Sequence, residues 1–212
     1  IGVANGVLVY LFFDLMHEAT EQTGARDVVS WAVFLGSLGV SFVGLVALES
    51  SQVFGGRSGN RMLSLPYMIA VGMGLHNLGA GLATGASYAS GEDTRSAVLV
   101  AGFGLHNGTE GFGIVGAAGK TPMSWRDVFL LGLIAGLPTC VGTFLSGQGV
   151  SSYFSICFYA LAAGSLLYVV PSLTVMSYTA TRRVQVAAGM FAGISLMYVT
   201  AMVLTLVSGV RS

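Results

Sequence analysis

The chain has 212 residues, of which 54% are hydrophobic and only 8% charged, with 9 basic and 9 acidic side chains and no net charge. A soluble globular domain carries about 25% charged residues, so the composition excludes an ordinary water-soluble fold. The balanced charge leaves no basic patch to neutralise phosphates, which excludes nucleic acid as a partner.

What remains is an all-α, polytopic transmembrane helix bundle. Mean hydropathy is +0.78, and a bilayer core of about 30 Å needs roughly 20 apolar residues per helix. Seven such stretches are legible, at roughly 1–20, 29–52, 64–90, 94–118, 127–147, 151–177 and 184–209. Short connections join them, so successive helices are expected to be antiparallel, and residues 1–212 read as a single transmembrane domain. The lipid bilayer is the first partner that this implies.

The first span begins at Ile1, already inside an apolar run, with no basic segment of a signal peptide before it. Its far end carries Asp14, His17, Glu18 and Glu21 at helical offsets, a polar stripe. The second span holds Glu49 and Gln52 near its end. The third places His76 and Asn77 near its middle, and the fourth places His106, Asn107 and Glu110 near its middle. Gly74-Leu75-His76-Asn77 through Gly81 and Gly104-Leu105-His106-Asn107 through Gly111 share the pattern G-L-H-N-x-x-x-G. The fifth span contains Pro138-Thr139-Cys140 and the sixth contains Cys157; both cysteines sit in apolar runs, so no disulfide framework is expected. Small residues spaced for close helix approach occur at Gly36 and Gly39, Gly72 and Gly74, and Gly81 and Gly85.

Orientation follows the positive-inside rule. Arg57, Arg61, Lys120, Arg126, Arg182 and Arg183 fall on one side of the membrane, and Arg26, Arg95 and Arg211 on the other. The larger set marks the cytoplasm, which leaves the C-terminus extracytoplasmic. No targeting feature is visible, so a plasma or inner membrane is expected.

Ionisable side chains inside a span are costly and mark function. His106 and Glu110 are one helical turn apart and share a face. Opposite His76 on an antiparallel neighbour, they make a divalent-metal site, with Asn77 and Asn107 adding carbonyl oxygens. Imidazole suits Zn, Fe, Ni and Cu, and a carboxylate broadens this toward Mn. The plainer account is cross-helix hydrogen bonding, worth about 0.6 kcal/mol per pair. Two matching pairs plus a carboxylate at mid-depth favour the metal.

At these residues the sequence resembles the ZIP family of zinc and iron transporters. His76-Asn77-Leu78-Gly79-Ala80-Gly81 is similar to that family's fourth-helix motif, H-N-x-x-[D/E]-G. His106-Asn107-Gly108-Thr109-Glu110-Gly111 is similar to its fifth-helix motif. Phe13-Asp14-Leu15-Met16-His17-Glu18-Ala19 resembles the end of its second helix, and Ala162-Ala163-Gly164-Ser165-Leu166-Leu167-Tyr168-Val169 resembles its seventh. The resemblance covers family helices two to eight and implies a first helix ahead of Ile1. It implies a non-enzymatic transporter that moves a divalent cation toward the cytoplasm by alternating access. The ion, Zn or Fe first and Mn or Co next, is cargo rather than a resident cofactor, and the family suggests a homodimer.

Two departures stand out: the family's fourth-helix carboxylate falls on Ala80, and a sixth-helix glutamate of many prokaryotic members falls near Thr139. The reading is therefore one ion at His76, His106 and Glu110, with Asn77 and Asn107 in support and Cys140 more a packing residue than a soft ligand. Asp14, His17 and Glu18 read either as a metal-recruiting entrance or as a solvated helix end, and Glu49 as an exit residue. The loop from Ser50 to Ser64 has no histidine, so it offers no cytoplasmic metal sensor. Ligands must be deprotonated to bind, and imidazole titrates near pH 6.5, so acidification below about pH 6 is expected to weaken uptake.

Two other classes stay open. A degenerate relative that binds metal without flux, as a sensor or scaffold, is motivated by Ala80 and Thr139. An intramembrane metal-dependent hydrolase fits a His2Glu zinc with an open position, but Glu110 would be spent as a ligand, and neither H-E-x-x-H nor G-x-S-x-G occurs.

Overall fold

The computed structural model describes residues 1–23, 27–51, 64–91, 100, 104, 107–108, 111, 113–118, 121–146, 151–180 and 182–208. Outside that set lie His106 and Glu110, along with Gln52 and the loop charges Arg26, Arg57, Arg61, Arg95, Lys120 and Arg211. The described elements are helices: α1 (Gly2–Glu21), α2 (Val28–Ser50), α3 (Ser64–Ala89), α4 (Trp125–Ser146), α5 (Ser152–Ala180) and α6 (Arg183–Ser208). The fourth predicted span is helical at its described residues between 100 and 116. Each observed helix lies within a few residues of its predicted span.

By length and composition, α2, α4, α5 and α6 are apolar enough to cross a membrane. Their outward residues, such as Leu35, Phe129, Phe144, Phe191 and Tyr198, are exposed, as a bilayer solvent requires. In α1 and α3 the sequence trades apolar positions for Asn5, Asp14, His76 and Asn77, which lowers their hydropathy. These two helices sit inward. α3 buries Met68, Ile69 and Met73, and α5 buries Ile156, Leu166 and Leu173 in the same core.

Helix ends follow local chemistry. The Asp27 carboxylate caps α2 by accepting the Val29 N–H at 3.0 Å, and it also accepts from the Ser30 hydroxyl. The Ser30 hydroxyl, with further donors from Tyr153 and the backbone, holds the Asp27 carboxyl below its ordinary value. α3 ends at Gly91, whose φ of +74° is the left-handed conformation that a C-terminal glycine supplies.

The packing is nested. α3 lies on α4: Gly74 meets the Ile134 carbonyl, Gly81 that of Thr139 and Gly85 that of Thr143, and Tyr67 donates to Asp127 at 2.9 Å. Residue numbers rise together along the contact, so the two helices are parallel. The same holds for α2 and α5, through Asp27–Tyr153, Ser37–Cys157 and Leu38–Gly164. It holds again for α1 and α6, where Gly2 abuts Gly189, Gly6 abuts Met190 and Tyr10 stacks edge-on against Tyr198 at 4.9 Å. The first span thus pairs with the seventh, the second with the sixth, and the third with the fifth. Each pair joins spans of equal parity, as strict alternation across a membrane requires. α5 runs antiparallel to α3, where Ser165 Oγ donates to the Gly72 carbonyl at 2.8 Å.

Candidate metal site

α3 is 26 residues long, and His76 and Asn77 are its central pair. At 1.5 Å per residue, each lies about 18 Å from the helix ends. His76 is 1% exposed and Asn77 2%. Polar side chains at this depth are kept only where they have work to do.

The faces of α3 decide where the pair points. Gly74, Gly81 and Gly85 turn toward α4, and Gly72 and Gly79 toward α5. Asn77 lies on the α4 side, where its Nδ2 donates to the Ala135 carbonyl at 3.0 Å. His76 interacts electrostatically with Asp14 of α1. Met73, one turn before Asn77, lies against Gly113 of the fourth span, together with Ala4 and Leu173. α1, α3, α5 and the fourth span therefore meet around the Met73–Gly113 contact, one turn from Asn77.

Asn107 is half-buried, and its Oδ1 is buried without a hydrogen-bond partner among the described residues. An amide oxygen left without a donor is available to a cation. Ala80 is 4% exposed and fills its place without a carboxylate. Among the described residues, no group of three or more His, Cys, Asp and Glu side chains converges on one point. His106 and Glu110, which the sequence reading needs for that convergence, are outside the described set.

At the C-terminal end of α1 the predicted stripe divides. Asp14 is exposed, interacts electrostatically with His76, and lines a cavity of about 320 Å³ with Tyr10, Phe13, Ile194 and Tyr198. His17 instead turns along its own helix and pairs with Glu21 at 3.4 Å. Glu18 accepts from Gln22, also at 3.4 Å. Glu49 is exposed near the end of α2 and interacts electrostatically with Tyr168 of α5. Cys140 is exposed, turned away from the contact between α3 and α4.

Sequence reasoning passed over Asn5. It is fully buried in α1; its Nδ2 donates to Thr174 Oγ1 at 2.6 Å, and its Oδ1 has no partner among the described residues. A single asparagine in an apolar run was the available signal. It lacked the doubled motif that drew attention to His76 and His106.

No protein-family model matches the chain. The chain is 34% identical over 129 residues to the Homo sapiens protein named zinc transporter ZIP4, an alignment that covers 59% of this chain. It spans only 20% of that relative's length. The chain is thus an integral-membrane helix bundle with a buried His-Asn pair at its centre and a sequence partly similar to a zinc transporter.

Proposed function

We propose that the chain is a ZIP-family transporter that carries a divalent cation, zinc or iron first, toward the cytoplasm through one mid-membrane site. The observation that carries this reading is the His76-Asn77 pair, buried at the centre of α3 inside an otherwise apolar bundle. The partial similarity to a zinc transporter supports it. In this reading the ion sheds water at the outer end of α1 and passes the exposed Asp14, which interacts electrostatically with His76. It is held by His76, His106 and Glu110, with the Asn77 and Asn107 carbonyls in support. Release follows when one group of helices moves against another and opens the site to the inside, past Glu49. A midplane site between helices suits such alternation. The ion is cargo throughout, and no residue is assigned a catalytic role.

The test is metal uptake into proteoliposomes by the intact chain, Glu110→Ala and His106→Ala, with Zn, Fe(II), Mn and Co in competition. The expected result is saturable uptake by the parent, its loss in both variants, and inhibition below about pH 6 because protonated imidazole cannot bind. Uptake that climbs steadily down to pH 5 contradicts these ligands. Metal binding without flux favours a sensor or scaffold, which Ala80, buried where the family carries an acid, would help to explain.

A further inference from the structure

Asp14 stands about two turns, roughly 10 Å, before the end of α1 at Glu21, and its side chain is exposed. A carboxylate at such a depth normally pairs with a cation or lines a cavity. Its electrostatic neighbours here are Glu18, His76, His17 and Tyr10. Glu18 adds repulsion, and His17 is already paired with Glu21. Among the described residues, no Lys or Arg forms an ion pair with Asp14.

What lies beside the carboxylate is aromatic. The cavity of about 320 Å³ between α1 and α6 is lined by Val9, Tyr10, Phe13, Asp14, Ile194 and Tyr198. The Tyr10 and Tyr198 rings sit 4.9 Å apart with their planes at 82°, so two aromatic walls meet at a right angle next to a negative charge. Phe13 is 66% exposed and Tyr198 64%. The cavity therefore opens on the outer face of the helix pair, between the middle turns of α1 and α6, where the bilayer supplies hydrocarbon rather than water. Its volume is at the small end of the roughly 300–1,000 Å³ typical of ligand pockets.

Each feature restricts the occupant. The carboxylate calls for positive charge. Ring faces attract a diffuse, weakly hydrated cation such as a quaternary ammonium. Val9, Phe13 and Ile194 favour hydrocarbon, and the lateral opening admits what is already dissolved in the bilayer. A divalent metal ion is poorly served, because it needs several oxygen, nitrogen or sulfur ligands. The cavity offers one carboxylate and two phenols, and no group of three His, Cys, Asp or Glu forms among the described residues. We propose that this cavity is a binding site for a cationic amphiphile, a single ammonium head on a hydrocarbon tail, with Asp14 as counter-ion and Tyr10 and Tyr198 as the walls of a cation cage. The site does not depend on the transported ion: His76 is 1% exposed and is not part of the lining.

The experiment measures equilibrium binding of radiolabelled dodecyltrimethylammonium to the purified full chain in a neutral maltoside detergent. Dodecanol serves as the uncharged competitor, and Zn as the metal competitor. The expected result is saturable binding that dodecanol displaces poorly. Asp14→Asn and Tyr198→Leu should each weaken it by roughly tenfold, the scale of losing a partner charge or a desolvated ring contact. Ile194→Trp, which fills the cavity and leaves the carboxylate and both tyrosines in place, should weaken it as well, and His76→Ala should leave it unchanged. Thermal melting shows whether each variant is folded, and Ile194→Trp decides if Asp14→Asn is not. Binding of the probe to Asp14→Asn or Ile194→Trp as to the parent overturns the inference, as does equal displacement by dodecanol, which marks an acyl-chain groove only. Displacement by Zn together with parent-like binding in Tyr198→Leu also overturns it, because Asp14 alone then attracts cations. Failure of the central metal site is read separately, from loss of Zn uptake.

Discussion

A polar side chain inside an apolar helix must find its partner along its own helix or across to the next one, because the bilayer offers none. Asn77 donates across to the Ala135 carbonyl, while the buried Thr139 hydroxyl has no hydrogen-bond partner among the described residues. Asn5 and Thr174 form a second, independent link between α1 and α5. A double-mutant cycle of Asn5→Ala and Thr174→Ala is expected to give a coupling of about 0.6 kcal/mol, the usual size for hydrogen bonds between membrane helices. Urea or SDS titration measures it, and strict additivity of the two substitutions would refute the link. Outside the membrane, Asp27 makes a pH prediction. Its carboxyl is held below its ordinary value by Ser30, so it stabilises the fold fully above the unfolded value near pH 3.9. That contribution is lost as pH falls through the lower, folded value. Melting temperature should therefore decline on acidification below about pH 4, and Asp27→Asn should flatten that part of the profile. At this scale the sequence exposed His76 and Asn77 because a doubled motif in apolar surroundings is conspicuous. Thr139 stood out in the sequence only as the place of a family glutamate; that its buried hydroxyl has no hydrogen-bond partner among the described residues is seen only in the structure.

At the scale of elements, glycine decides which helices touch. Gly81 and Gly85 bring α3 onto the carbonyls of Thr139 and Thr143, whereas nothing lies within 4 Å of a Cβ placed at Gly36 or Gly39. Gly81→Ala should accordingly destabilise the bundle by about 1–3 kcal/mol, the cost of forcing a methyl into a filled contact. Gly36→Ala should leave the melting temperature level or raise it, since a helix interior favours alanine over glycine by about 1 kcal/mol. Spacing alone had marked both pairs alike. It had also missed Gly2 and Gly6 of α1, which meet Gly189 and Met190 of α6, because their partner lies at the far end of the chain. Span positions, by contrast, were legible to within a few residues, since hydropathy and length are local properties.

At the scale of the molecule, parity makes the topology testable. Gly91 closes α3 and Ser124 precedes α4, so the two positions lie at opposite faces of the membrane. In a Cys140→Ser, Cys157→Ser background, a cysteine at Gly91 should react with an impermeant thiol reagent in intact cells. One at Ser124 should react only after permeabilisation. The reverse pattern would invert the orientation read from Lys and Arg.

The nesting of the pairs also bears on how the protein is made. Of the described helices, a ribosome delivers α1 before all the others and α6 after them, yet these two are partners across glycine faces. Until α6 emerges, the glycine face of α1 has no mate. The innermost pair, α3 with α4, can close while synthesis is still under way, the middle pair next and the outer pair only at the end. Assembly then proceeds from the centre of the chain outward, and a nascent chain halted before residue 183 would hold its central contacts while the first helix waits for a quality-control factor or for its missing partner.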